Sequence, residues 1–180
     1  MSVIVVEFLT LDGVVEDPDG AGGTAAGGWA FRHGPEAVAG DKFRLGTLLD
    51  TETLLLGRTT WELFAKLWPG RTGEFPDRLN AARKLVASRT LEDVSAWQNS
   101  SLLHGDLIDE VERHERDLIV IGSIGIAQAL GRRGLVDEYR LLVFPSVAGE
   151  GRRLFEVPAD LRLVSTTQVG PAILSTYRTH

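Results

Sequence analysis

A chain of 180 residues with 43% hydrophobic and 24% charged side chains is expected to form one domain (1–180), large enough to bury a core without metals or disulfides. Its net charge of −6, from 19 basic and 25 acidic residues, argues against nucleic acid or an anionic membrane as the main partner. The absence of cysteine excludes disulfides and thiolate chemistry, and the scattered histidines (His33, His104, His114, His180) offer no metal-binding spacing, so no metal is expected. Without a membrane-length apolar run or a leader-like N-terminus, the expected location is cytoplasmic.

The first predicted element is a strand over Ser2 to Leu9, β-branched and apolar enough for the centre of a sheet. It runs into Thr10-Leu11-Asp12-Gly13, where Asp-Gly marks a turn. Asp12 stands where a strand stops, so it either faces a ligand crevice or hydrogen-bonds its own turn. The segment from Asp19 to Gly28 is glycine- and alanine-rich and reads as a loop; no Lys-Ser or Lys-Thr pair follows it, so it is no P-loop. Trp29 and Phe31 either wall a pocket or cap the core.

Gly34-Pro35-Glu36 is expected to open a helix with Val38, Phe43, Leu45, Leu48 and Leu49 inward and Asp41 on its polar side. A short strand, Thr53 to Leu56, then meets Gly57-Arg58-Thr59-Thr60. Here Thr59 or Thr60 is expected to cap the next helix, and Arg58 sets a forked cation beside its free N–H groups. After a short helix over Asp77 to Arg83, the strand Lys84 to Ala87 ends on Ser88-Arg89-Thr90. A strand at Ser100 to Leu103 and an amphipathic helix over Gly105 to Glu115 follow.

Leu118 to Ile121 reads as a buried strand, Gly122-Ser123-Ile124-Gly125 as a turn, and Ile126 to Arg133 as a helix stopped by Gly134. With the apolar strand Val136 to Phe144 this makes a βαβ unit. A glycine-hinged loop, Val147 to Phe155, precedes a terminal hairpin, Leu161 to Val169 and Ile173 to Tyr177.

Three strands thus end in Gly-Arg-Thr-Thr, Ser-Arg-Thr and Gly-Ser-Ile-Gly. If they are neighbours in a parallel sheet, their ends converge on one crevice that offers helix N-termini, hydroxyls and two arginines. That inventory suits a diphosphate plus one more phosphate, which fits NADPH better than NADH. The glycine turn lacks the GxGxxG pattern of a Rossmann fold.

The segments LTLDGVVEDP, LLLGRTTWE, KLVASRTL and LIVIGSIGIAQALGRRGLVDEYRLLVFPSVAGEGRRLF occur in an order that resembles the dihydrofolate reductase-like superfamily. Within it, the chain is similar to the C-terminal reductase half of the bacterial riboflavin-biosynthesis deaminase-reductase. The resemblance covers no part of the zinc deaminase half. It implies an α/β fold of three layers: a mixed, mostly parallel sheet of about eight strands, flanking helices, and a C-terminal antiparallel hairpin. It also implies NADPH lying across the strand ends. Gly57, Arg58 and Thr60 would hold the adenine-side phosphates, and Ser88 and Arg89, with Thr90 adjacent, the 2′-phosphate. Gly122, Ser123, Ile124 and Gly125 would lie against the pyrophosphate and nicotinamide, with Ser123 standing where the family usually carries a second glycine. On the substrate side Asp12 and Asp41 are the catalytic candidates, although the first-helix Trp-x-x-Pro-x-Asp pattern of dihydrofolate reductases is absent around Asp41.

The expected function is therefore an NADPH-dependent reductase of a small heterocycle, a pterin or a ribosylamino-pyrimidine. The alternative is a non-catalytic nucleotide-binding or regulatory module that keeps the fold. The family also implies a homodimer, to which the apolar strand Leu141 to Phe144 could contribute as readily as to the core.

Overall fold

The computed structural model describes residues 1–180. Eight strands form one sheet: β1 (Val3–Thr10), β2 (Thr53–Gly57), β3 (Arg83–Ala87), β4 (Ser100–Leu102), β5 (Leu118–Ile121), β6 (Glu138–Phe144), β7 (Leu161–Val169) and β8 (Ala172–Thr179). Their order is β4-β3-β2-β5-β1-β6-β8-β7. The pairs from β4 to β6 are all parallel, while β8 runs antiparallel to both β6 and β7. The helices are α1 (Leu48–Thr51), α2 (Arg58–Leu67), α3 (Glu74–Ala81), α4 (Leu107–Arg113) and α5 (Ile124–Arg132). None is long and apolar enough to cross a membrane.

The alternation of β1 assigns the layers. Ile4 and Val6 join Trp29, Phe43, Trp61 and Phe144 in a 21-residue core on one face. Val3, Val5 and Leu9 join Leu103, Ile126 and Leu130 in a 16-residue core on the other. A sheet covered on both faces needs unbroken apolar strands, as Leu118–Ile121 illustrates.

Two expectations change. No long helix forms over 34–49: the chain runs through turns until the four-residue α1. Gly34, Gly40, Gly46 and even Arg44 take positive φ, which interrupts a right-handed helix despite its apolar spacing. Neither Thr59 nor Thr60 caps α2; its N-cap is Gly57, without a side-chain cap. The apolar run in β6 is explained by position, because β6 lies between β1 and β8 and Leu141, Leu142 and Phe144 are buried within the chain.

In β3, Lys84 is a buried cation whose ammonium donates to the carbonyls of Asn80, Ala82 and Gln98 at 2.6, 2.8 and 3.1 Å and lies 4.3 Å from the Trp97 ring centre. Every N–H of the ammonium is thereby matched, which a buried charge requires. Lys84 ties β3 to the chain on both sides of it, and so fixes where the Ser88 turn emerges.

Candidate functional site

Strands β3, β2 and β5 are adjacent and parallel, so their C-terminal ends open onto the same edge of the sheet. There they line a cavity of about 530 Å³. Gly57, Arg58 and Thr60 enter it from the β2 turn, Ser88 and Arg89 from the β3 turn, and Gly122, Ser123, Ile124 and Gly125 from the β5 turn. Leu103, Leu107 and Ile126 supply apolar wall.

Two hydroxyls clip the turns together. Ser123 Oγ accepts from the Gly57 N–H at 2.9 Å and donates to the Ile121 carbonyl at 3.2 Å. Thr60 Oγ1 donates to the Gly122 carbonyl at 3.0 Å. Gly122 itself has φ 60°, a left-handed conformation that disfavours any residue with a Cβ, whereas Ser123 at φ −93° does not need glycine. That difference is why serine is accommodated at the second place of this turn.

The helix ends are arranged for an anion. Helix α5 starts at Ile124, two residues earlier than the sequence pattern predicts, so Ile124 and Gly125 belong to its first turn. Neither α2 nor α5 has a side-chain cap, and both present free N–H groups and the positive end of the helix dipole to the cavity. At α4 the Asp106 carboxylate takes that place, accepting from the Ile108 and Asp109 N–H groups.

Charge follows the same pattern. Three arginines line the cavity, Arg58, Arg89 and Arg152, against one acid, Asp106, in a chain of net charge −6. Arg58 pairs with Glu62 at 3.6 Å, with both side chains well exposed, so the pair binds it weakly. Arg89 makes no hydrogen bond or ion pair within the protein, while Ser88 Oγ stiffens its turn by accepting from the Thr90 and Leu91 N–H groups at 3.1 and 3.0 Å.

The family of the RibD C-terminal domain matches residues 1–175. The chain belongs to that family. It is 29% identical over 127 residues to the uncharacterized protein YyaP of Bacillus subtilis, an alignment covering 64% of this chain and 66% of YyaP. A Shewanella sp. PV-4 structure with a provisional riboflavin-biosynthesis name superposes at TM-score 0.75, with 20% identity, over 100% of this chain and 99% of that one. Acinetobacter baumannii RibD superposes at 0.67, with 13% identity, over 99% of this chain and 58% of its own. A Thermotoga maritima diaminohydroxyphosphoribosylaminopyrimidine deaminase/5-amino-6-(5-phosphoribosylamino)uracil reductase does so at 0.61, with 16% identity, over 99% and 56%. The chain thus spans little more than half the length of these last two proteins. The mixed, mostly parallel sheet with its terminal hairpin is the dihydrofolate reductase-like fold of this RibD-type group.

Three candidates of the RibD-type chain lie outside the cavity. Thr90 contributes only its N–H, to Ser88. Asp41 accepts from the Leu45 and Gly46 N–H groups at 2.8 and 2.6 Å, closing a turn of the segment before α1. Asp12 accepts from Thr10 Oγ1 at 2.6 Å and from the Ala148 and Gly149 N–H groups at 3.0 and 2.8 Å. These bonds, the hydroxyl first, hold its carboxyl down at about 2.

Arg152 gives no local signal in the sequence. Its loop is tied down at three points: by Asp12, by Glu16 Oε2 accepting from the Arg152 N–H at 3.2 Å, and by Gln128. The amide of Gln128 donates to the Arg153 carbonyl at 2.8 Å and accepts from the Arg152 guanidinium at 2.9 Å. A second cavity of about 500 Å³ lies where β6 ends, lined by Trp29, Arg32, His33, Ser146, Ala148 and Glu150. His33 Nε2 and Ser146 Oγ are 2.7 Å apart there.

Proposed function

We propose that this chain is an NADPH-dependent reductase acting on a small heterocycle of the ribosylamino-pyrimidine or pterin type. The observation that carries the reading is the cavity at the ends of β3, β2 and β5, which is cationic in an acidic protein and is bordered by two uncapped helix N-termini. Gly125 adds a test of fit. It sits in the first turn of α5, where a Cβ would meet no protein atom within 4 Å. Glycine in a helix costs about 1 kcal/mol relative to alanine, and neither packing nor a positive φ demands it here. The empty space beside uncapped N–H groups suits a phosphate.

In this reading the Gly57–Thr60 and Ser123–Gly125 turns receive the diphosphate. Arg89, on a turn stiffened by Ser88, receives the 2′-phosphate, where its lack of an internal partner leaves it free to bind. The cofactor supplies the hydride when bound; the chain orients it and excludes water with Leu103, Leu107 and Ile126. The substrate occupies the second cavity, whose wall at Ala148 is fixed by Asp12 and whose polar groups are His33, Ser146, Arg32 and Glu150. Asp12 then positions the substrate loop and stays ionised throughout the neutral range.

A second reading, a nucleotide-binding module without catalysis, draws on one observation: Asp12 and Asp41 both spend their carboxylates on backbone N–H groups. Loss of the reduced-nicotinamide absorbance in the presence of ribosylamino-pyrimidines and pterins separates the two. Turnover with any of them supports the reductase; tight NADPH binding with no turnover across both classes supports the module.

A further inference from the structure

Reduction of a C=N bond takes up a proton as well as a hydride, and neither Asp12 nor Asp41 is free to give one. Both spend their carboxylates on backbone N–H groups. The second cavity holds a group that is free. Of its polar lining, Arg32 carries a guanidinium that keeps its protons, and a carboxylate such as that of Glu150 only accepts. The Trp29 indole N–H is committed to the Glu16 carbonyl at 2.9 Å. His33 remains, half-buried at the cavity wall. An imidazole is the side chain that gives and takes a proton in the neutral range.

The fold sets this histidine against a hydroxyl. His33 closes the 3-10 turn Phe31–His33, and Gly34, at φ 87°, leads the chain away behind it. Its Nε2 lies 2.7 Å from Ser146 Oγ, and its ring rests beside that of Phe144, with 6.3 Å between centres. Ser146 is fixed by the end of β6: its N–H donates to the Phe144 carbonyl and its own carbonyl accepts from the Leu11 N–H, both at 2.8 Å. Its hydroxyl donates to the Trp29 carbonyl only at 3.5 Å, long for an O–H donor and therefore readily surrendered to a ligand. With its proton directed there, Ser146 Oγ accepts from the Nε2–H of His33. The pair is thus a chain of two donors that ends in the cavity. The charged groups around it are Arg32 on the same turn and Glu150 on the loop after β6, while Phe144 and Ala148 carry none. That loop also brings Arg152 into the first cavity, so the two cavities share a wall.

Resting on the substrate reading above, we propose that His33 and Ser146 deliver the proton that completes the reduction, His33 as the acid and Ser146 as the relay. The bound cofactor supplies the hydride. As the substrate carbon gains it, the π pair of the C=N bond settles on nitrogen, and that nitrogen takes the Ser146 hydroxyl proton. The hydroxyl is restored by the Nε2 proton of the His33 imidazolium, and the neutral imidazole left behind takes a proton from solvent. One C=N bond becomes CH–NH at the expense of one reduced nicotinamide, and both side chains return to their starting forms.

The test follows turnover of 5-amino-6-(5-phosphoribosylamino)uracil, the compound in the name of the Thermotoga maritima relative, across pH. It compares the wild type with His33→Gln, Ser146→Ala and Ser146→Thr. Glutamine keeps an amide donor for Ser146 but has no proton to release. His33→Gln should lose about 100-fold or more in kcat, the scale of general acid catalysis, with KM and the NADPH dissociation constant within a few-fold of the wild type. Wild-type kcat should fall toward alkaline pH, where an acid loses its proton, and that fall should be absent in His33→Gln. Ser146→Ala should lower kcat and keep the fall; Ser146→Thr, which retains a hydroxyl, should recover most of the loss. Independently of turnover, an imidazole N–H resonance of the wild type should be missing from His33→Gln and displaced in Ser146→Ala. The inference is overturned if His33→Gln keeps wild-type kcat or the alkaline fall, or if Ser146→Ala leaves that resonance in place. A wild type that binds NADPH but reduces neither this compound nor a dihydropterin removes the reductase reading and this inference together; turnover with a silent His33→Gln removes this inference alone.

Discussion

One edge of the sheet carries two halves of opposite character. At the ends of β3, β2 and β5, polar groups are left over: two helix N-termini lack caps, Arg89 has no partner, and Gly125 faces open space. At the ends of β1 and β6 polar groups are used up. Asp12 spends both carboxylate oxygens on Thr10, Ala148 and Gly149, and Glu16 and Gln128 hold the loop that follows. Unsatisfied backbone and cations mark a place prepared for phosphates, whereas the satisfied carboxylates fix the loop that walls the second cavity. The same residue types, aspartate, arginine and glycine, therefore mean different things at the two ends.

The comparison breaks first at Arg89. Arg89→Ala should weaken NADPH by about 10- to 100-fold, the scale of hydrogen bonds to a charged group, with little change for NADH. Arg58→Ala, on the turn that receives the diphosphate, should weaken both cofactors, so the selective loss belongs to Arg89→Ala. Equal losses for both cofactors in a binding titration of Arg89→Ala would remove its 2′-phosphate role. Folding stability should be untouched in Arg89→Ala, since no internal bond is lost.

Gly125→Ala sharpens the contrast because its two effects have opposite signs. Helix α5 should gain roughly 0.5–1 kcal/mol from replacing a helical glycine where space is open. Cofactor affinity should drop about tenfold, because the methyl enters the phosphate space. A melting temperature that rises without loss of binding would show that no ligand atom approaches there.

The two carboxyls of the first strand and its turn predict opposite pH limbs. Glu7 has a folded pKa raised to about 8 from 4.5, so folding favours its protonated form. Its share of stability is full below about 4.5 and is lost as pH rises toward 8, at up to about 1.4 kcal/mol per pH unit. Glu7→Gln should flatten that limb in thermal melts. Asp12 has a pKa lowered to about 2 from 3.8. Its contribution is present above about 3.8 and is lost as pH falls toward 2, and in Asp12→Asn that acid limb should be smaller. This is the weakest effect, since Asp12 is only half-buried.

Much of the sheet is legible in the sequence because its strands are short, β-branched and punctuated by glycine. The convergence of three turns on one crevice is readable too, since it needs only that β3, β2 and β5 be neighbours. The segment 34–49 shows the limit: apolar spacing alone cannot tell a helix from turns that bury the same side chains, and glycines at positive φ decide it. Arg152 is invisible from its local sequence because Asp12, Glu16 and Gln128, distant in the chain, bring it to the cavity. Glu7 is hidden for another reason. In a run as apolar as VIVVEFLT, period-two alternation puts Glu7 on a face with Val5 and Leu9, but only the finished sheet reveals that both faces are buried.

The central claim is that the cavity at the ends of β3, β2 and β5 is the seat of a 2′-phosphorylated dinucleotide. A thermal-shift titration with NADPH and NADH side by side tests it most directly. A ligand confined to the folded state stabilises by about 2.7 kcal/mol at a hundredfold excess over its dissociation constant. The account predicts a clear shift with NADPH, a much smaller one with NADH, and loss of the difference in Arg89→Ala. No shift with either cofactor, or equal shifts that Arg89→Ala leaves unchanged, would contradict it.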